Sequence, residues 1–308
     1  MGSPAPRPAN HGGDGALLAA ALGIAVDEVL DLSASLNPVA PDPVPVIARH
    51  LDAIGRYPDE SRATAALAAA IGVDENLLVL TNGGAEAIAL VAADMGTGWV
   101  DEPEFSLYRR HIRVLDPAGP RWRSNPHNPT GILAEPHEQA GVWDEAFWPL
   151  ATGTWTRGDA GGKAIVVGSL TKLLACPGLR AGYIICSDDS TAHRLRRRRP
   201  EWSLNGLAAE ALPEMLLGVD LPLWQKLTAE LRHDLSEILR GAGFEPGPSD
   251  ANWLLVGAAA LRDHLARHAI LVRDCNSFGM PGTVRIAVPG SAGLERLEAA
   301  LRTWEPAA

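Results

Sequence analysis

Apolar residues change their spacing along this chain, and the changes predict its elements. Residues 77–81, 98–100, 142–144 and 164–169 are short apolar runs bounded by turn residues, which predicts strands. Among them, 46–54, 60–71, 85–93 and 104–112 read as helices, the second notably alanine-rich. Ahead of these, 16–22 and 26–30 read as helical pieces around Gly23, and 31–35 as a brief strand. Asn37, Pro38, Pro41, Pro43 and Pro45 make a stiff extended connector, and Arg56-Tyr57-Pro58 a turn. After Gly119 the pattern lapses until 142. Beyond Asn205 come long Ala/Leu-rich helices, 223–239 the clearest, then a strand at 253–256, a helix at 259–268 and a strand at 283–288. Strands alternating with helices, then a helix-rich end, predict an α/β protein with a smaller C-terminal domain. The expected divisions are an N-terminal arm and connector (1–45), a large domain (46–207) and a small domain (208–308).

At 308 residues, 46% of them hydrophobic, the chain can bury a substantial core. Its net charge of -10 argues against a nucleic-acid partner, which would call for surplus Lys and Arg. The basic run Arg194, Arg196, Arg197, Arg198 and Arg199 therefore reads as a solvated helix end. No apolar run approaches the ~20 residues of a membrane span. Residues 1–8 are proline-rich, lack a signal peptide's apolar core and read as a disordered lead-in. Cys176, Cys186 and Cys275 are odd in number and far apart, so neither a disulfide framework nor a zinc site is expected, and the cytoplasm is the default compartment. The histidines show no metal-ligand spacing.

The chemistry gathers around Lys172. The run 164–169 ends in Ser169-Leu170-Thr171-Lys172, followed by Pro177-Gly178-Leu179-Arg180-Ala181-Gly182-Tyr183. A lysine at the end of a buried strand needs a partner or a depressed pKa, and a neutral amine attacks carbonyls. Ser169, Thr171 and Arg180 would offer two hydroxyls and a fixed cation to a phosphate. Alone, Ser-x-Thr-Lys is more often an ordinary turn. Upstream, Thr81-Asn82-Gly83-Gly84-Ala85-Glu86 is a strand end, a glycine turn and a helix start, a candidate phosphate cradle or a plain connection. Phe105-x-x-Tyr108 offers a flat ring for stacking, or simply core. Asn125-Pro126-His127-Asn128-Pro129-Thr130-Gly131 is a rigid turn able to aim the Asn128 amide at a phenolate. Asp144 closes an apolar run, where a carboxylate needs a cation such as a protonated pyridine; an N-cap role is the alternative. Arg285, inside the strand-like 283–288, suits an anionic ligand or a distant salt bridge.

These pieces, in this order, resemble the fold-type I pyridoxal phosphate enzymes, the aspartate-aminotransferase-like superfamily, over essentially the whole chain. The resemblance implies an aspartate-aminotransferase-like α/β fold: a large domain with a mixed, mostly parallel sheet and a smaller α+β C-terminal domain. It also implies pyridoxal 5'-phosphate as cofactor. Lys172 would hold the cofactor's aldehyde and shuttle the proton. Asp144 would hold the pyridine nitrogen, Asn128 the ring oxygen, and Tyr108 would stack on the ring. Gly84, Ala85, Ser169, Thr171 and Arg180 would cradle the phosphate. Tyr57 would reach the phosphate of a neighbouring subunit, which implies a homodimer, and Asn37 and Arg285 would bind substrate.

Within the superfamily the chain is similar to two sister groups, threonine-phosphate decarboxylases of the cobalamin pathway and histidinol-phosphate aminotransferases. His11-Gly12-Gly13-Asp14, Asp31-Leu32-Ser33-Ala34-Ser35-Leu36-Asn37-Pro38, Trp202-Ser203-Leu204-Asn205 and the 272–279 segment lean toward the decarboxylase. The expectation is an enzyme acting on a small phosphorylated amino acid or amine, the decarboxylase first, the aminotransferase or a non-catalytic cofactor-binding relative as alternatives. Relatives usually carry more residues between Tyr108 and Asn125 and between Gly131 and Asp144. A strand or helix of the large domain is thus expected to be trimmed, and Arg121-Trp122-Arg123 makes a poor buried strand.

Overall fold

The computed structural model describes residues 11–158 and 163–305; the expected lead-in over 1–8 lies outside them. In chain order the strands are β1 (Leu30–Leu32), β2 (Leu78–Thr81), β3 (Thr97–Val100), β4 (Val114–Leu115), β5 (Arg121–Ser124) and β6 (Val142–Asp144). They continue with β7 (Ile165–Ser169), β8 (Gly182–Ile185), β9 (Trp253–Gly257), β10 (Ile270–Asp274) and β11 (Thr283–Ala287). Two compact units divide them. One comprises Ala40–Asn128 and Leu133–Gln225, the other the described part of Met1–Val39 with Pro129–Ile132 and Lys226–Ala308.

The larger unit holds a seven-stranded sheet in the order β2-β8-β7-β6-β5-β3-β4. Only β8 runs against its neighbours; the other pairings are parallel, so the sheet is mixed and mostly parallel, as expected. The helix Gly83–Met95 lays Ala87, Ile88, Val91 and Ala92 on one face, against Val79, Trp122, Val142, Ile165, Val167 and Ile184. Burying each Ile or Val side chain there contributes roughly 1.5–3 kcal/mol.

The smaller unit holds the sheet β1-β10-β11-β9 over a core that includes Leu32, Leu235, Leu239, Val256, Ile270 and Ile286. β1 joins it by pairing parallel with β10, Leu30 opposite Ile270. That pairing corrects the expected division: the N-terminal segment is an edge strand of the small sheet rather than an arm. The boundary expected at 207/208 falls instead at 225/226, inside the long helix Leu221–Gly241.

A second correction concerns the trimmed region. Arg121-Trp122-Arg123 does form an interior strand, β5, between β3 and β6. Trp122 faces the helix-covered core, while Arg121 and Arg123 on the other face find Glu138 at 3.2 and 3.3 Å. What is short is the β5–β6 crossover, which contains no helix or strand. The basic run is equally structural. Arg194 and Arg198 both pair with Asp94, Arg196 donates to the carbonyls of Glu75, Asn76 and Leu78, and Arg199 meets Glu60.

Candidate active site

Because β2, β7, β6, β5 and β3 point the same way, their C-terminal ends lie along one edge of the large sheet. The Gly83-Gly84 turn leaves β2 there, Lys172 follows β7, Asp144 ends β6, Asn128 follows β5, and Tyr108 follows β3. Antiparallel β8 starts at the same edge, bringing Arg180. Ligands of open α/β sheets bind at such an edge. Sequence order alone could not bring these residues together; strand direction does.

The candidate phosphate cradle is built on close approach. Gly83 (φ 76°) starts the helix Gly83–Met95, and a Cβ there would lie 2.2 Å from Arg180 Nη2. A Cβ on Gly182 would sit 2.4 Å from the carbonyl carbon of Gly83, so only glycine lets β8 pass the turn. A Cβ on Gly84 would meet Ser169 Cβ at 3.3 Å, and Ser169 Oγ lies 2.7 Å from Thr171 Oγ1. Arg180 takes a left-handed backbone (φ 56°) and donates to the Pro177 carbonyl at 3.1 Å, while Asn205 Nδ2 fixes the same loop through Leu179 O at 2.7 Å. A helix N-terminus with Gly84 and exposed Ala85, two hydroxyls and a guanidinium thus converge. That donor set fits a phosphate dianion. Lys172 is half-buried on the short helix Leu170–Leu173.

Asp144 stands opposite Val167 of β7 and Ser124 of β5. Its Oδ1 accepts the Ala146 N–H at 3.0 Å and its Oδ2 the Tyr108 hydroxyl at 2.8 Å, so it caps no helix. Burial pushes its pKa up, and those two donors pull it back toward the ionised form. Tyr108 departs from the expectation of ring stacking. Its side chain is wholly enclosed, with Phe105 edge-on at 5.8 Å and Trp122 tilted at 5.7 Å. Here the tyrosine steadies the acid instead of presenting an open face. Burial, with Asp144 and Glu104 nearby, holds its phenol well above the usual range, so it remains a donor.

Asn128 is buried, and its N–H donates to Ser124 Oγ at 2.7 Å. Ser124 in turn donates its N–H to Glu104 Oε1 at 3.0 Å, and its Oγ lies 2.5 Å from Glu104 Oε2. Neither Ser124 nor Glu104 stood out in the sequence, since isolated serines and glutamates carry no spacing signal. Tyr57 is 76% exposed and packs on the exposed Trp202 ring at 4.5 Å. Among the described residues no group of His, Cys, Asp or Glu could hold a metal ion.

In the smaller unit, buried Arg285 on β11 lies directly opposite buried Arg273 on β10. Arg285 sits over the Trp253 ring at 4.9 Å and Arg273 over Phe278 at 5.5 Å. Burial and then the charge of Arg273 bring Arg285 down to about 10. Like charges facing each other across a ladder destabilise it, and an anion between them would relieve the repulsion. Sequence reading picked out Arg285 but not Arg273, whose signal was its place directly after the apolar run 270–272. Buried Asn37 accepts the Val39 N–H at 3.0 Å through its side-chain oxygen.

A model of the family described as aminotransferase class I and II matches residues 122–302. The threonine-phosphate decarboxylase of Salmonella typhimurium is 32% identical, over 95% of this chain and 95% of that protein. That alignment spans 358 positions, more than the 308 residues here, so the relative carries segments this chain lacks. Histidinol-phosphate aminotransferase 1 of Dechloromonas aromatica is 27% identical over 92% and 93% of the two chains. The structure of histidinol-phosphate aminotransferase from Sinorhizobium meliloti in complex with pyridoxal-5'-phosphate superposes with a TM-score of 0.77 at 18% identity, covering 94% of each chain. Match, relatives and fold agree: this chain belongs to the aminotransferase class I and II family of pyridoxal-phosphate-dependent enzymes.

Proposed function

We propose that the protein is a cytoplasmic homodimer that decarboxylates a small phosphorylated amino acid of the threonine phosphate type, using pyridoxal phosphate. The observation that carries the cofactor assignment is the convergence of Gly83, Gly84, Ser169, Thr171 and Arg180 beside strand ends that also bear Lys172 and Asp144. When bound, the cofactor supplies an electron sink for the bond broken at the substrate's Cα. Asp144, whose ionised form Tyr108 and Ala146 favour against burial, would hold the ring nitrogen protonated. Asn128 would donate to the ring oxygen, and Lys172 would carry the cofactor and return a proton to Cα. The paired Arg273 and Arg285 would take an acidic group of the substrate. Exposed Tyr57 would serve a partner subunit's phosphate.

The choice between reactions is stereoelectronic. The bond standing perpendicular to the ring breaks, and an orientational preference of ~3 kcal/mol changes a rate ratio by more than a hundredfold. Similarity to the Salmonella decarboxylase favours carboxylate release. Similarity to histidinol-phosphate aminotransferases supports amino transfer as the second reading.

Two measurements test this. Purified protein supplied with pyridoxal phosphate should absorb in the visible and be bleached by borohydride, and Lys172→Ala should do neither. Incubation with threonine phosphate should give aminopropanol phosphate without a keto acid. Glutamate formed from histidinol phosphate and 2-oxoglutarate would establish the second reading. A colourless wild type would end both.

A further inference from the structure

Glu104 lies on the loop after β3 with 3% of its surface exposed, and it belongs to no cofactor contact described above. Its Oε1 accepts the Ser124 N–H at 3.0 Å, and its Oε2 meets Ser124 Oγ at 2.5 Å and the Phe105 N–H at 3.3 Å. Ser124 Oγ accepts the Asn128 N–H at 2.7 Å. One acid thus grips one serine twice, and that serine holds the backbone of the asparagine aimed at the cofactor. The same serine stands opposite Asp144, and its hydroxyl acts on the Tyr108 phenol that bonds to Asp144.

We propose that Glu104 is a positioning residue which, through Ser124, sets Asn128 against the cofactor's ring oxygen and links that contact to the Tyr108–Asp144 pair. The proposal rests on the reading of this site as one for pyridoxal phosphate. Charged and titratable groups face Glu104 from each side: Arg123 Nη1 of β5 at 3.9 Å, His127 Nε2 of the turn at 4.0 Å, and Tyr108 of the helix Leu107–His111. Exposed Glu102 accepts the Glu104 N–H at 3.0 Å. Burial carries the Glu104 carboxyl up to about 8, against the pull of Ser124 and Arg123. Near neutrality it is therefore mostly protonated and donates to Ser124 Oγ, leaving the serine's proton for Tyr108. Ionisation turns that proton back toward Glu104 and breaks the link.

The folded protein binds this proton more tightly than the unfolded chain, so stability falls as pH rises from the ordinary carboxylic range through about 8. Glu104→Gln copies the protonated acid, with an oxygen for the Ser124 N–H and an amide donor for Oγ.

The experiment compares full-length wild type, Glu104→Gln, Glu104→Ala and Ser124→Ala. It measures the thermal midpoint of the cofactor-free protein against pH, and the dissociation constant for pyridoxal phosphate at about pH 7 and about pH 9. Glu104→Gln should bind like wild type at the lower pH and lack the alkaline fall in both midpoint and affinity. Glu104→Ala should bind about tenfold more weakly, the equivalent of one hydrogen bond. If Glu104→Ala does not fold, Ser124→Ala carries that arm with the same expectation. A Glu104→Gln profile that follows wild type with pH, or truncations that keep the wild-type dissociation constant, would overturn the proposal. Wild-type protein that takes up no pyridoxal phosphate overturns the cofactor reading itself, and is seen before any variant is compared.

Discussion

In the β3–β5–β6 part of the large sheet, the two faces are held by different forces. On one, Val100, Trp122 and Val142 pack with Ile88 and Val91 of the helix Gly83–Met95. On the other, Arg121 lies over Trp99 at 5.6 Å and Arg157 over Trp143 at 4.5 Å, while Glu138 bridges Arg121 and Arg123. The Arg157 guanidinium also donates to the carbonyls of Glu135, Pro136 and Glu138, pinning the helix-free crossover to the sheet. Close packing is non-directional and survives many sequence changes; ion and cation–π contacts hold only at particular points. A crossover can therefore be cut short if point contacts replace a helix, provided the face bearing Asp144 keeps its packed support.

Trp122→Ala should cost about 4 kcal/mol in denaturant unfolding, as large-to-small core changes do, and should loosen cofactor binding through Tyr108. Arg157→Ala should cost about 2–3 kcal/mol, because it leaves crossover carbonyls unmet and uncovers Trp143. If the two losses are equal, the faces are not held differently. Tyr108→Phe should cost about 1 kcal/mol of stability. Without that donor the raised Asp144 pKa rises further, so the acid-side loss of pyridoxal phosphate binding, followed by absorbance, should begin at higher pH than in wild type.

Glu138→Gln should have the smallest effect, roughly 1 kcal/mol or less, since the pair is partly solvated and salt screens it. Burial works against ionised Glu138, but Arg123, the Glu135 N–H and Arg121 outweigh it and bring the carboxyl down to about 2. A depressed folded value contributes stability above the ordinary carboxylic range that is lost as pH falls toward about 2. The wild-type advantage over Glu138→Gln in thermal midpoint should therefore shrink on the acid side and in high salt.

Much of the candidate site was legible because its residues are rare in combination. Lys172 after two hydroxyls, the Asn125–Gly131 turn and the glycine pair each carry a local backbone or chemical requirement. β5 was not legible, since arginines at alternate positions contradict the apolar run expected of an interior strand; Glu138, Trp99 and Trp143 make them tolerable. β8 and β10 were missed as strands because one hid inside a cofactor motif and the other followed a helix without a turn signal. The stacking role expected of Tyr108 ignored Trp122 and Asp144, which draw the ring inward and its hydroxyl toward the acid.

By itself the chain's order of residues determined the family, the alternation of strands and helices, and which side chains could hold a phosphorylated pyridine, because those depend on local spacing and chemical type. Tertiary structure alone decided that the first strand completes the small sheet, that a doubly arginine-flanked tryptophan sits mid-sheet, and that Glu104 reaches Asn128 through Ser124. Those are long-range pairings set by strand direction and register, and a one-dimensional pattern carries no record of what lies opposite.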